Sequence, residues 1–214
     1  MKLDDFLPHL LPELPGCPDA LVKQQLLFGI IEFCTETHAW NEIQDPITIL
    51  DRQNEIDVET PRDARIVAVK DVWASNRKLR PVTMDQLFER IPNWQTAEST
   101  EPVYYNASVD YRTIRIFPSP IGQAGQRNTL TMRVAYAPTM SATTFPDELG
   151  IKYWDHLQAG AKSRLMMVPG KSWTNLQMAA VYKQQFEDGI LKAKISAIHD
   201  RVQGSVSVRP HPFA

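Results

Sequence analysis

The sequence predicts an α+β protein: a helical bundle of one N-terminal and two C-terminal long helices, an inserted antiparallel β domain, and an extended C-terminal tail. Three observations lead there. Apolar residues recur at helical spacing near both ends of the chain. Between them, β-branched and aromatic runs are separated by clusters of Pro, Gly, Asn and Asp. After the last helical pattern, residues 204–214 hold two prolines and no helical period. The implied division is a discontinuous helical domain at 1–45 and 140–201, a β-sheet domain at 46–139, and a tail at 202–214.

Residues 3–18 are rich in leucine and proline, among them Leu3, Phe6, Leu7, Leu10, Leu14, Pro8, Pro12 and Pro15. Proline removes a donor and clashes with the preceding turn, so this stretch makes one helical turn at most. Its apolar content marks an ordered arm rather than a linker. Asp19 follows Pro18 and is placed to cap a helix. Leu21, Val22, Leu26, Ile30, Phe33 and Thr37 recur at helical spacing, and Leu27, Ile31 and Cys34 widen the stripe. A helix over 20–40, ending near Trp40-Asn41, is therefore apolar over more than half its girth. Such a helix buries more than one side, against other helices or neighbouring subunits.

The middle of the chain changes period. Residues 47–50, 64–73, 103–105, 111–117 and 130–136 are strand-like, and 111–117 and 129–136 partly alternate as half-buried strands do. Turn clusters at 60–63, 75–78, 106–110 and 118–128 divide them, which suggests an antiparallel sheet or small sandwich. Thr83-Met84-Asp85-Gln86 has capping-box form, and Leu87, Phe88 and Ile91 follow before Pro92 ends the turn. Phe145-Pro146-Asp147 starts the next helix, with Leu149, Tyr153, Trp154, Leu157, Ala161, Leu165 and Met166 at helical spacing up to Pro169-Gly170. Ser172 or Thr174 opens the last helix, whose expected buried side carries Leu176, Ala179, Ala180, Tyr182, Phe186, Ile190, Ala193 and Ile198.

The 214 residues are 43% hydrophobic and 22% charged, enough to bury a sizeable core in one domain or two small ones. The formal net charge of -2 excludes the basic excess of a dedicated nucleic-acid binder, so any DNA contact is expected to be loose and non-specific. Cys17 and Cys34 are too few for a disulfide framework. No apolar stretch has the length of a signal or a membrane span. The expectation is a soluble protein made in a reducing cytoplasm with both thiols free.

Chemistry is nearly absent from the pattern. His9, His38, His156, His199 and His211 form no ligand spacing with each other or with the cysteines, and no metal is expected. Cys34 and His38 share a helix face, an arrangement better explained by a buried thiol and a helix-end histidine than by a nucleophile with its base. Gly122-Gln123-Ala124-Gly125 lacks the lysine and the helix of a phosphate loop and reads as a hairpin loop. Asp4-Asp5 and Asp147-Glu148 sit where acids favour a helix dipole. Asp71, Glu101 and Asp110 have no spacing that brings them together. No catalytic residue and no cofactor is expected. Tyr104, Tyr105 and Tyr111 are more simply cross-strand packing than a stacking platform. Trp40, Trp73, Trp94, Trp154 and Trp173 are core or interface anchors.

Several runs resemble a known family in their order and spacing: 31–40, 66–73, 114–120 with its Phe117-Pro118-Ser119-Pro120, 134–138, 153–161, then Trp173 before a helix holding Phe186 and Gly189. Over roughly 20–195 the chain resembles the phage head–tail adaptor (connector) proteins, the group that includes tail tubular protein A of short-tailed phages. The resemblance implies a structural virion protein of the head–tail junction, assembled in the bacterial host cytoplasm. It implies a ring, usually twelve-fold, between the portal protein and the next tail ring, with genomic DNA passing through its channel. Leu26, Ile30, Phe33 and Trp154 are then candidate subunit contacts. The C-terminal segment would dock along the portal through Val206, Val208, Arg209, Pro210, Pro212 and Phe213, gaining order on binding.

Two competing readings stand beside this one. A tail-completion or terminator protein would dock elsewhere. A carbohydrate-binding or carbohydrate-processing β-sandwich would be monomeric, with Trp94, Tyr104, Tyr105 and Asp110 converging on a cleft.

Overall fold

The computed structural model describes residues 1–75, 77–121 and 128–198. In chain order the helices and strands are α1 (Leu7–Leu10), α2 (Asp19–Thr37), β1 (Asn41–Ile43), β2 (Ile47–Ile49), β3 (Glu55–Asp57), β4 (Ala64–Ala74), β5 (Arg77–Lys78), β6 (Arg80–Pro81), α3 (Met84–Arg90), β7 (Glu98–Ser99), β8 (Tyr104–Ala107), β9 (Thr113–Phe117), β10 (Ser119–Pro120), β11 (Asn128–Pro138), α4 (Asp147–Lys152), α5 (Trp154–Met166) and α6 (Leu176–Ile198). The chain is mixed α+β with six α-helices among the described residues.

The Leu/Pro-rich arm is ordered, as its composition suggests. Two 3-10 turns, Leu3–Phe6 and Leu11–Glu13, flank α1, and Phe6, Leu10 and Leu14 are fully buried. Short turns suit the prolines, which cannot sustain an α-helix interior. The arm is tied down at several points. Leu3 N–H donates to the Thr143 carbonyl, and Ser172 Oγ donates to the Pro15 carbonyl at 2.7 Å. Phe6 stacks on Trp154 with ring centroids 4.0 Å apart.

The α2 helix is the centre of the helical layer. It packs against α5 and α6 on one side and against β11 on the other. This explains an apolar pattern too wide for a surface helix. The helix stops at Thr37, earlier than the apolar pattern suggests. His38 takes a left-handed conformation (φ +52°), and Thr37 Oγ1 accepts from the Ala39 N–H. Asn41 then begins β1, leaving no room for the helix to reach Trp40. At the other end Pro18 is the cap residue and Asp19 the first helical one, so Asp19 acts through its charge in the first turn rather than as the cap. Where α5 crosses α6, glycine lets the helices approach closely. A Cβ at Gly160 would lie 2.7 Å from the Phe186 ring, and one at Gly189 2.5 Å from His156.

The main sheet has the order β1-β11-β4-β5, with β2 also pairing β11. The long pair β4–β11 runs antiparallel from Ala64↔Pro138 to Ala74↔Leu130, with two bulges. A second sheet, β3-β9-β8-β6, is antiparallel except for the β6–β8 pair, and β7 and β10 form a short parallel pair. The helices and both sheets share one hydrophobic core, in which Phe33, Val72, Ile114, Leu130 and Leu157 belong to the same cluster. A small separate cluster of Val82, Leu87 and Phe117 lies under α3. The α3 helix has the capping box its sequence announces, with Thr83 Oγ1 accepting from the Gln86 N–H.

Three details differ from the sequence pattern. The helix expected over 147–166 leaves helical geometry at Tyr153 (φ −118°, ψ +23°) and divides into α4 and α5. Hydrogen bonds from Tyr153 N–H to Leu149 and from Leu157 N–H to Tyr153 keep the apolar spacing in phase, so the pattern alone shows no break. The last helix begins at Leu176 with the Asn175 side chain accepting from the Met178 N–H, not at Ser172 or Thr174. The Thr174 hydroxyl is committed to the Lys171 N–H and the Val168 carbonyl. On α6, Ala179, Phe186 and Ala193 are buried as expected, whereas Leu176 and Ala180 are exposed. Ile198 closes the helix, and its side chain lies outside the described residues, as does the 122–127 loop.

Candidate interaction surfaces

The reactive side chains singled out in the sequence are engaged structurally. Cys34 is buried, and burial pushes its thiol up to about 12. A thiol so placed yields little thiolate, and the thiolate is the reactive form. His38 is held below its usual value, first by burial and then by the charge of Lys70. Both cysteines are free and buried. Among the described residues no group of three His, Cys, Asp or Glu side chains is placed to hold a metal ion.

The acidic residues of the β region stand apart. Asp71, on β4, is buried and accepts from Arg133 Nε at 2.7 Å and from Lys78 Nζ at 2.5 Å. Burial alone would raise its carboxyl, but the hydrogen bonds and charges of Lys78 and Arg133 outweigh it and hold the pKa below the ordinary value. Glu101 pairs with Arg77, and Asp110 accepts from Ser108 in the β8–β9 turn. A depressed folded-state pKa stabilises above the unfolded value near 3.8 and loses that contribution as pH falls through the folded one. The melting temperature should therefore fall as the pH drops below about 4. Asp71→Asn should cost about 2 kcal/mol at pH 7 and flatten that acid limb, as read by thermal melts across pH. An acid limb identical in the variant would remove Asp71 as its source.

The four residues of a sugar site do not converge. Trp94 packs edge-on against Phe117 at 5.6 Å beside the small cluster under α3. Tyr104 lies in the same neighbourhood with Arg90 over its ring at 5.5 Å. Tyr105, the next residue on β8, is buried in the main core. Asp110 is at the hairpin tip with Tyr111. The three tyrosines thus form no stacking platform.

The candidate subunit contacts are placed differently from one another. Leu26, Ile30 and Phe33 have no exposed surface at all. Phe33 meets Tyr153 at 4.8 Å and Phe186 at 6.2 Å between ring centroids, so these three hold the chain's own core. Trp154 is half-buried, stacked on Phe6 and met edge-on by His9 at 5.3 Å. Val206, Val208, Arg209, Pro210, Pro212 and Phe213 lie outside the described residues.

The surfaces that remain open are apolar faces and clefts. Val181, Leu191 and Ile195 project from α6 and Ile151 from α4, all exposed. A cavity of about 230 Å³ lies between the start of β1, α4 and the end of α6, lined by Trp40, Glu42, Glu148, Lys152 and Ala197. A larger cleft of about 870 Å³ runs between the start of β4 and the β8–β9 turn. Where the arm meets α5 and α6, Glu13 accepts from Lys162 Nζ at 2.6 Å and Tyr182 Oη at 2.5 Å. Burial would raise Glu13, and those two hydrogen bonds bring it below the ordinary value, while Tyr182 is pushed up to about 12, first by the bond to Glu13. The sequence pattern marks neither the cleft nor this network, because both join residues far apart in the chain. Among the described residues no helix is long and apolar enough to cross a membrane.

The exposed apolar residues of α4 and α6 make a face of the kind that meets another protein. Comparison with known families agrees: the family model described as SU10 adaptor protein matches residues 1–209, and the chain belongs to that family. It is a family of phage head–tail adaptors, structural components of the virion that interact with portal and tail components. No curated protein matches the chain.

Proposed function

We propose that this chain forms the adaptor ring between the portal and the tail, and that the genome passes through the channel of that ring. The observation that carries the reading is the family match across 1–209, which takes in both the helical layer and the sheets. Within the head–tail adaptors, the order of the runs from 31–40 to Gly189 favours a place near the tail tubular protein A group. A ring of many copies needs head-to-tail contacts between unlike faces. Val181, Leu191 and Ile195 of α6 offer one such face, with Trp154 a partly exposed contributor. The net charge of -2 suits a conduit, since a strongly basic lumen would retain the DNA it must release. Residues 202–214 are the segment proposed to dock along the portal, and assembly takes place in the host cytoplasm.

Electron microscopy of the full chain mixed with portal particles from its own phage tests the reading. The expected result is a ring of added density at the narrow end of the portal, usually twelve-fold. Bare portals beside unbound chains, at concentrations well above micromolar, would overturn it.

A further inference from the structure

The two halves of α6 are held in different ways. From Leu176 to Gln185, Ala179 is buried, Tyr182 is half-buried and the rest are exposed. From Phe186 onward the packing is closer. Phe186, Gly189 and Ala193 are buried, and Ile190 is half-buried. The Phe186 ring sits against Gly160, and His156 sits against Gly189, at the close crossing of α5 and α6. Apolar burial stabilises in proportion to the area removed from water, so a buried alanine holds a helix far less than a buried phenylalanine. Beside Tyr182 the helices also leave a groove of about 440 Å³, lined by His156, Ala159 and Lys162 of α5 and by Tyr182 and Gln185 of α6.

A polar contact spans this loosely packed stretch. One carboxylate oxygen of Glu13 accepts from Lys162 Nζ of α5, and the other accepts from Tyr182 Oη of α6. Lys162 is only 8% exposed, and its ammonium lies 5.1 Å from the centroid of the Tyr182 ring. Glu13 has a fixed base, because Leu10 and Leu14 of the arm are fully buried and the Pro15 carbonyl accepts from Ser172 Oγ. An ammonium so deep needs its partner: taking away one member of a buried pair costs much more than replacing both. Without the Glu13 carboxylate, Lys162 and the Tyr182 hydroxyl must turn to water, and the groove is where water would enter.

We propose that Glu13 is a latch holding the first half of α6, residues 176–185, against α5, and that this segment opens locally when the latch is broken while the second half stays packed. Val181 belongs to the latched segment, and Leu191 and Ile195 lie beyond it on the same helix face. The latch therefore keeps the exposed apolar stripe of α6 in one line. That the stripe meets a neighbouring copy rests on the adaptor reading. The latch itself does not, since every group in it belongs to one chain.

Hydrogen-exchange mass spectrometry on the free full-length chain tests this, with Glu13→Gln and with Glu13→Gln combined with Lys162→Met. Peptides covering 176–185 should exchange at least about tenfold faster in Glu13→Gln than in the natural chain. Peptides from α2 and from 187–197 should exchange alike in both, showing that the opening is local. Adding Lys162→Met should return most of the lost protection, because no buried charge is then left unpaired. Unchanged exchange of 176–185 in Glu13→Gln overturns the proposal. So does an equal acceleration of all peptides, which would make Glu13 a contact of the whole fold. Failure of the second substitution to restore protection overturns it as well. No other component is added, so the result stands apart from whether the chain forms a ring.

Discussion

Phe33→Ala should lower the stability of the isolated chain by about 3–5 kcal/mol, read as a shift of the urea unfolding midpoint with little change in slope. Phe33 has no exposed surface and joins three helical segments, through Tyr153 at the α4–α5 break and Phe186 on α6. Truncation removes a ring and leaves a cavity that the glycine-bordered contacts around Gly160 cannot close without moving α6. Domains of this kind are stable by only about 5–15 kcal/mol, so the loss would be a large fraction of the whole. The effect should not depend on protein concentration. A subunit-contact role would give the reverse, a free chain of ordinary stability and a weakened assembly. Leu191→Ala, on the exposed face of α6, is the matching control and should move the midpoint by less than about 0.5 kcal/mol. An unchanged midpoint for Phe33→Ala would refute the packing argument.

That contrast shows what the sequence carries and what it does not. A helix with apolar residues on more than half its girth must be covered on two sides, and the pattern at 20–40 says so. The identity of the cover is a tertiary fact. Here α5, α6 and β11 of the same chain supply it, so Leu26 and Ile30 join Phe33 in the core. The strongly local signals were the most legible. The Thr83 capping box, the proline-limited arm and the long strands at β4 and β11 all stand where their residues put them. Two-residue strands such as β5, β6, β7 and β10 left no trace, because a strand so short has no period to read. Nor does the pattern show that β1 pairs with β11 and that one core runs through helices and sheets.

The site was legible mainly as an order of runs. Cys34 and His38 share a helix face in sequence, but burial of the thiol and the left-handed turn at His38 show both residues serving the helix end. Tyr104 and Tyr105 read in the sequence as cross-strand packing rather than a platform, and the strand sends these neighbours to opposite faces and into different clusters. The cleft beside β4 could not be read at all, because its walls come from residues 35, 58, 64–67 and 109–112.

Removing residues 202–214 should abolish binding to the portal while leaving the cooperative unfolding transition in place. The described core ends before this segment: Ala193 is the last residue in it. Far-UV spectra and the main urea transition of the truncated chain should therefore match those of the full chain. The portal contact is another matter. The faces left without the tail, on α6 and around Trp154, are those proposed to meet neighbouring copies. Val206, Val208 and Phe213 are the apolar side chains available beyond the core to anchor in a partner, and Arg209 adds a charge able to pair there. Losing several anchors at once should weaken binding at least a hundredfold, about 2.7 kcal/mol, in a titration with portal particles. Full affinity in the truncated chain would sink the docking role of the tail and move the portal contact onto the folded body.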